Sequence, residues 1–220
     1  CARCHSRRSS FSTEDPSGAR LMDGYLPALL SEGLYHADGQ IQDEVFVLGS
    51  FLQSKMHGKG VTCMNCHNAH TGKVLFEDNR LCAQCHNPTT FDVSSHLRHE
   101  KNTSGAMCVD CHMPETTYMK IDPRRDHRFG IPNPALSARL DVPNACNSCH
   151  SDESPAWAEA AIAKDVADDG YADLNARVRS LDLFAAPDAL RYIDNVEHAP
   201  IKRATLLANL PLSQASINAA

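Results

Sequence analysis

The sequence predicts a mostly α-helical fold with high loop content, divided between residues 1–150 and a small helical tail at residues 151–220. Two observations carry this prediction. All ten cysteines lie in the first region, among turn-forming asparagine, glycine and proline residues. After His150 the cysteines end, alanine becomes frequent, and Ser154 followed by Pro155 gives a typical helix start.

The ten cysteines form five copies of the pattern Cys-x-x-Cys-His, and none is left over. This spacing suits covalent attachment of heme c, because the two sulfurs can reach vinyl groups on neighbouring pyrroles and the histidine can bind the iron. The predicted thioether cysteines are Cys1, Cys4, Cys63, Cys66, Cys82, Cys85, Cys108, Cys111, Cys146 and Cys149. The predicted proximal iron ligands are His5, His67, His86, His112 and His150.

Three other interpretations of the cysteines are less favourable. Disulfides within a Cys-x-x-Cys pair would form strained rings and would leave the five histidines unexplained. Structural zinc usually takes paired motifs at tighter spacing than the irregular gaps seen here. A redox Cys-x-x-Cys pair of the thioredoxin kind would need a strand–helix context, which these segments do not indicate.

The composition agrees with a core built around prosthetic groups. Hydrophobic residues make up 42% of the chain, but aromatic residues only 6%. Five porphyrins, each a large flat apolar body, would supply the missing buried surface of residues 1–150. We therefore expect a loop-rich, heme-centred pentaheme c-type cytochrome region there, followed by the α-helical region at 151–220.

Seven histidines lie outside the motifs, and five hemes with bis-histidine ligation would need five of them. The favoured distal ligands are His36, His57, His70, His99 and His127. His96 lies one helical turn from His99 and is the open alternative to it. We expect His198, in the tail, to be structural.

Two further groups of residues bear on the heme sites. Arg124, Arg125 and Arg128 flank His127, and they either pair with heme propionates or form a solvated charged run. Met113 and Met119 are the alternative axial ligands; methionine is more often a packing residue, so histidine is preferred.

Hydrophobic spacing indicates where the helices lie. Val45, Leu48, Phe51 and Leu52 suit one helix face, with a strand at 45–48 as the alternative. In the tail, two further sets of hydrophobic residues each lie on one face of a predicted helix. They predict antiparallel helix pairs, the beginning of a repeat array. These sets are Leu174, Val178 and Leu181, and Ile201, Ala204 and Ala208.

Charge and hydropathy limit the partners and the location. The formal charge is −6, so no basic face is available for nucleic acid. No stretch of about 20 apolar residues predicts a transmembrane segment. Heme c is attached outside the cytoplasmic membrane, so we expect a periplasmic, extracellular or cell-surface protein.

Four segments resemble multiheme c-type cytochromes with doubled CXXCH motifs, which are related to cytochrome c-554. The segments are 33–70, 81–88, 105–137 and 143–158. The resemblance implies closely stacked hemes, electron transfer at the periplasm or cell surface, and tetratricopeptide or HEAT-like helices after the heme region. It also implies further heme motifs upstream, so we expect this chain to be a fragment of a longer one.

The sequence leaves two classes of function open. The first is an electron-transfer protein that is not an enzyme, passing electrons to other redox proteins or to copies of itself in a head-to-tail conductive filament. The alternative is a multiheme oxidoreductase acting on small nitrogen or sulfur compounds. That chemistry requires an iron with an open position, whereas all five motifs end in histidine.

Overall fold

A computed structural model describes residues 1–12, 18–162 and 168–210, and the described chain is mostly helical with long loops. The predicted fold class is therefore confirmed. The α-helices are α1 (Leu48–Phe51), α2 (Lys55–Gly58), α3 (Pro88–Phe91), α4 (Ser94–Leu97), α5 (Cys108–His112), α6 (Pro134–Leu140), α7 (Pro155–Ile162), α8 (Tyr171–Arg179), α9 (Ala186–Asp194) and α10 (Pro200–Asn209). Short 3-10 helices span Leu21–Asp23, Cys63–Asn65, Asp78–Gln84 and Leu183–Ala185.

In the part of the chain that the structure describes, four short strands form two antiparallel ribbons. Strand β1 (Arg8–Ser10) pairs with β2 (Tyr25–Pro27), and β3 (Glu115–Tyr118) pairs with β4 (Asp122–Arg125). The turn between β3 and β4 closes with a hydrogen bond from the Ile121 amide to the Tyr118 carbonyl at 3.1 Å. Met119 and Lys120 take positive φ values of 50° and 68°, as a type I′ turn requires. His127 follows β4, so the ribbon of β3 and β4 sets its position.

The helix predicted around Val45 to Leu52 is shorter than its hydrophobic pattern indicates. Phe46 takes a φ of 59°, which is incompatible with an α-helix. Helix α1 therefore begins only at Leu48. Val45 lies outside the helix but is buried in the hydrophobic core, at 1% exposure. The apolar pattern correctly marks burial here and overstates the helix.

The start of the tail follows its sequence signals. The Ser154 hydroxyl accepts the Trp157 amide at 3.1 Å and caps α7, with Pro155 at the first helical position. The alanine-rich sequence that follows the helix start continues to residue 167, and positions 163–167 lie outside the described residues. Helices α8, α9 and α10 then pack against one another.

Two of the predicted helix faces need correction. Leu174 and Val178 of α8 are buried, but Leu181 follows the end of the helix with a φ of 60° and is 71% exposed. On α10 the buried residues are Ile201, Thr205 and Leu206, whereas Ala208 is exposed. The buried face of α10 therefore differs from the predicted one, and only Ile201 is common to both.

The main hydrophobic core joins the tail to the loops before the first helices. It contains Leu30, Tyr35 and Val45 together with side chains from α8 and α10. The Arg179 guanidinium donates to the Leu30 carbonyl at 2.8 Å and to the Tyr35 carbonyl at 3.0 Å. A domain boundary at residue 150 stays a prediction, and the core contains residues from both sides of it.

In the described ranges, no helix has both the length and the apolar character needed to cross a bilayer.

Candidate heme-binding sites

Each Cys-x-x-Cys-His motif folds into one turn of helix. In four of them the histidine amide donates to the carbonyl of the first cysteine, at 2.9 Å in the motifs of His5, His67 and His150 and at 3.0 Å in that of His86. The fourth motif is itself helix α5, Cys108–His112. A helical turn brings positions i, i+3 and i+4 to one face, so both sulfurs and the imidazole can meet one ligand.

Five of the ten cysteine thiols have raised pKa values, unlike the reactive thiol of a redox pair. All ten are free, and burial raises the pKa values of Cys66, Cys108, Cys111 and Cys146. Burial, reinforced by the neighbouring Cys108, raises the pKa of Cys82 to about 11. A reactive cysteine of a redox pair has a lowered pKa instead, so these thiols fit the attachment of a group better than disulfide exchange.

Thiols of consecutive motifs are close enough to affect one another. Cys66 of the second motif interacts with Cys85 of the third, and Cys82 of the third interacts with Cys108 of the fourth. Cys111 of the fourth motif interacts with Cys146 of the fifth. The second to fifth motifs therefore follow one another in space in the same order as in the sequence.

Three motif histidines each face a second imidazole. The ring centroids of His67 and His127 lie 6.3 Å apart with an interplanar angle of 24°. His112 and His96 lie 6.1 Å apart at 13°, and His150 and His99 lie 6.2 Å apart at 28°. In each pair one ring comes from a motif and the other from a distant loop or a short helix.

These separations match two imidazoles on opposite sides of one metal. A metal–imidazole bond is about 2.0 Å and the ring centroid lies about 1.1 Å behind the nitrogen, so two such rings have centroids about 6.2 Å apart. The three observed values lie between 6.1 and 6.3 Å. The pairs therefore fit a heme iron between the rings.

Hydrogen bonds orient three of these imidazoles. The Nδ1 atoms of His99, His112 and His127 lie 3.0, 2.8 and 2.9 Å from the backbone carbonyls of Leu97, Gly130 and Arg125. A carbonyl oxygen can only accept, so each Nδ1 carries the proton and each Nε2 keeps a free lone pair. Such second bonds are typical of metal-binding histidines, because they fix both the tautomer and the plane of the ring.

Burial keeps two of the facing rings in the neutral, metal-binding form. Burial lowers the pKa of His127, although the Arg125 carbonyl opposes the shift, and burial also lowers the pKa of His96. A metal binds only the deprotonated nitrogen of an imidazole, so a neutral ring costs no proton when it ligates.

Exposed apolar side chains gather at the second motif, where a porphyrin face would find apolar neighbours. Met64, Val74, Leu75 and Phe76 are 42–49% exposed. The Leu75 amide donates to the Cys66 carbonyl at 2.9 Å, which places this strip beside the motif. A patch of this kind usually marks a surface that binds an apolar partner.

The structure brings two of the five favoured distal histidines to a motif histidine. His127 faces His67 and His99 faces His150. It also brings in His96, which the sequence analysis kept only as the alternative to His99 and which faces His112. The two were treated as alternatives because they lie one helical turn apart, but Arg98 between them has a φ of 60° and ends α4.

The other three favoured distal histidines lie elsewhere. His57, in α2, contacts the edge of Phe51 at 5.4 Å, and His70 is exposed in the loop after the second motif. His36 is half-buried beside Asp38, and burial lowers its pKa. Within residues 1–12, 18–162 and 168–210, none of the three is in ring contact with His5 or His86.

The three arginines around His127 pair with carboxylates of this chain. Arg124 binds Glu44 at 2.7 Å and Asp122 at 2.5 Å. Arg125 binds Asp110 at 3.3 Å, and Arg128 binds Asp38 at 3.4 Å. These ion pairs tie the segment that carries His127 to helix α5 and to the loop around residues 38–44.

A single-ion site, such as structural zinc, finds no support. Among the described residues, no group of three or more His, Cys, Asp and Glu side chains is placed to hold one metal ion. The facing groups are pairs of imidazoles, which suit a metal held in a porphyrin.

Comparisons with known proteins agree with this chemistry. Residues 90–180 match the family model for cytochrome c552. The fold resembles the crystal structure of the outer cell wall cytochrome OcwA, with a TM-score of 0.53 and 16% sequence identity. The match covers 95% of this chain and 63% of that chain, so this chain spans less than two thirds of the length of OcwA. No curated protein sequence matches this chain.

The family match and the fold are similar to those of multiheme cytochromes, and the motifs and paired imidazoles fit the same class of protein. The residues gathered at these sites fit heme c as the cofactor.

Proposed function

We propose that this chain is a pentaheme electron relay of the doubled-CXXCH kind, with both axial positions of its irons held by histidine. The observation that carries the proposal is the set of three facing imidazole pairs at 6.1–6.3 Å, each with one ring from a motif. Bound heme c supplies an iron that alternates between the ferric and ferrous states.

The residues of the chain have separate tasks in this proposal. The motif cysteines would hold the porphyrins covalently, and the motif histidines would bind the irons. His127, His96 and His99 would supply the second imidazole at the second, fourth and fifth sites and would keep water and small ligands away from those irons. The order of neighbouring thiols, from Cys66 to Cys85 and from Cys111 to Cys146, supports a path that follows the sequence.

The first and third sites need distal ligands as well. His36, His57 and His70 remain the proposed candidates for His5 and His86, in the proposed total of five hemes. His57 is the best placed of the three for the first site. It packs on Phe51, Phe51 packs on Phe129, and Phe129 packs on His127, which lies close enough to His5 for the two to interact electrostatically.

The partners follow from the same chemistry. Electrons enter from one redox protein and leave to another, or to a second copy of this chain in a head-to-tail filament. We place the protein outside the cytoplasm, in the periplasm or at the cell surface. Attachment of heme c supports this location, as does the fold it shares with a protein named an outer cell wall cytochrome.

A second candidate function is reduction or oxidation of small nitrogen or sulfur compounds. One observation favours it: in the described part of the chain, the His86 ring contacts only the edge of Phe91, at 5.7 Å, and is exposed. An iron held by His86 without a distal imidazole could bind a substrate. A high-spin ferric EPR signal that shifts with nitrite or hydroxylamine would support this activity.

Intact-mass measurement of the denatured holoprotein, followed by a stepwise redox titration, tests the relay. The proposal predicts five covalent hemes and reversible uptake of five electrons. A mass equal to that of the bare polypeptide, or hemes that cannot be reduced in turn, would refute it.

A further inference from the structure

Asn79 joins the third and fourth motifs through all the hydrogen-bonding atoms of its side chain. It lies in the 3-10 helix Asp78–Gln84, which carries Cys82 of the third motif. Its Oδ1 accepts the Cys108 amide, at the start of the fourth motif, at 2.8 Å. Its Nδ2 donates to the Ala106 carbonyl at 3.0 Å and to Asp92 at 3.1 Å. One part-buried amide therefore holds both motifs and the turn after α3.

Phe91 links the same two sites on their imidazole side. Its ring meets His86, the motif histidine of the third site, at 5.7 Å and 89°. It also meets His96, which faces His112 of the fourth site, at 5.4 Å and 82°. Both are edge-to-face contacts, a geometry that aromatic rings prefer. The Phe91 ring therefore lies between the imidazole of His86 and that of His96.

The position of Phe91 is itself fixed by the chain. Asn87 follows the third motif directly and caps α3 by accepting the Thr89 amide at 3.0 Å. Helix α3 therefore begins at Pro88, two residues after His86, and ends at Phe91. Asp92, the next residue, accepts the hydrogen bond from Asn79. The hydrogen bonds of Asn79 and the ring contacts of Phe91 therefore belong to one connected contact between the third and fourth motifs.

We propose that Asn79 and Phe91 are positioning residues that hold the third and fourth heme sites in one fixed arrangement, so that the two irons form a coupled pair within the relay. This inference rests on the proposed function and extends it to residues that touch no iron. Electronic and magnetic coupling between two centres depends steeply on their separation and relative orientation. Removing the contacts of Asn79 or Phe91 should therefore weaken the coupling between the two irons without removing either heme.

The test uses the ferric holoprotein and two independent variants, Asn79→Ala and Phe91→Leu. Parallel- and perpendicular-mode EPR measures the spin-coupled signal of neighbouring hemes, and the pyridine hemochrome assay counts the hemes. Both variants should keep the wild-type heme content and lose the part of the spin-coupled signal that the third and fourth sites contribute, which is replaced by uncoupled low-spin signals. Phe91→Tyr keeps the ring and should restore the wild-type spectrum.

Asn147→Ala is the matched control. Asn147 donates to the His150 carbonyl at 3.0 Å and to the Glu153 carbonyl at 2.8 Å, and its Oδ1 accepts from Asn144 at 2.8 Å. It makes as many hydrogen bonds as Asn79, but all of them within the segment of the fifth motif. This variant should leave the spin-coupled signal of the third and fourth sites unchanged.

The results separate this inference from the proposed function. A wild-type protein that takes up electrons through low-spin hemes, with coupling unchanged in both Asn79→Ala and Phe91→Leu, overturns the inference alone. Absence of a spin-coupled signal in that same wild-type protein also overturns it. A wild-type protein without low-spin hemes overturns the proposed function instead. If Asn79→Ala fails to bind heme, the spectra of Phe91→Leu and Phe91→Tyr decide.

Discussion

The imidazole rings of His67 and His127 face each other at 6.3 Å although 60 positions separate them in the sequence. The ribbon of β3 and β4 places His127 opposite the motif, and the Arg125 carbonyl fixes its ring through Nδ1. This relationship, repeated at two other motifs, makes the heme sites testable one by one.

Replacing His127 with alanine should convert one low-spin heme to the high-spin state. The second site loses its distal ligand, while Cys63, Cys66 and His67 still hold the heme. EPR and electronic absorption spectra of the ferric protein measure the change, and added imidazole should reverse it. His198→Ala is the control, because His198 stacks on Tyr192 at 3.7 Å and faces no motif histidine. A fully low-spin spectrum in His127→Ala would contradict the assignment.

His96 and His99 should act on different hemes. Because His96 faces His112 and His99 faces His150, each single alanine variant should convert one heme to high spin. The double variant should convert two. Quantitative EPR of the three proteins provides the measurement. If either single variant leaves every heme low-spin, that histidine is not a ligand.

Gly105→Ala should disturb the fifth site through His99. A Cβ at Gly105 would lie 2.9 Å from both Cδ2 and Nε2 of the His99 ring, so the ring has to move. Gly60→Ala is the matched control: its φ of 85° is close to the 83° of Gly105, but nothing lies within 4 Å of its Cβ. Both changes cost about 1–2 kcal/mol in backbone strain, and only Gly105→Ala should produce a high-spin heme. Equal spectra of the two variants would refute this contact.

These sites also show how far the sequence could lead. The motif spacing predicts the thioether cysteines and the proximal histidines, because a covalent attachment is local in the chain. Distal ligands depend on loop paths: a left-handed Arg98 decides that His96 and His99 face different motifs. In the same way Phe46 shortens α1 and Leu181 leaves the buried face of α8. Hydrophobic periodicity carries no signal for such single positive φ angles.

Asp169 should stabilise the helical tail in a pH-dependent way. Burial acts to raise its pKa, but the Lys202 ammonium at 2.8 Å, the Tyr171 amide and the Tyr192 hydroxyl together hold it below its usual value. A carboxyl group with a lowered folded-state pKa stabilises the protein above its unfolded pKa of about 4, and the contribution is lost as the pH falls through the folded pKa.

Asp169→Asn should therefore lower the free energy of unfolding by about 1–2 kcal/mol at pH 7, and by less in acid. Urea unfolding followed by far-UV circular dichroism, at pH 7 and in acid, measures the free energy of unfolding of the variant and of the wild type. Asp173→Asn, which breaks a half-exposed pair with Arg139, should cost less than about 0.5 kcal/mol. Equal losses from the two variants at pH 7 would count against the role of Asp169.

Near-infrared magnetic circular dichroism of the ferric holoprotein tests the central claim most directly, because its charge-transfer band reports the two axial ligands of low-spin heme iron. The paired imidazoles predict a band at the position of bis-histidine ligation, with the intensity of at least three hemes. A band at the histidine–methionine position, or no low-spin band at all, would contradict the account.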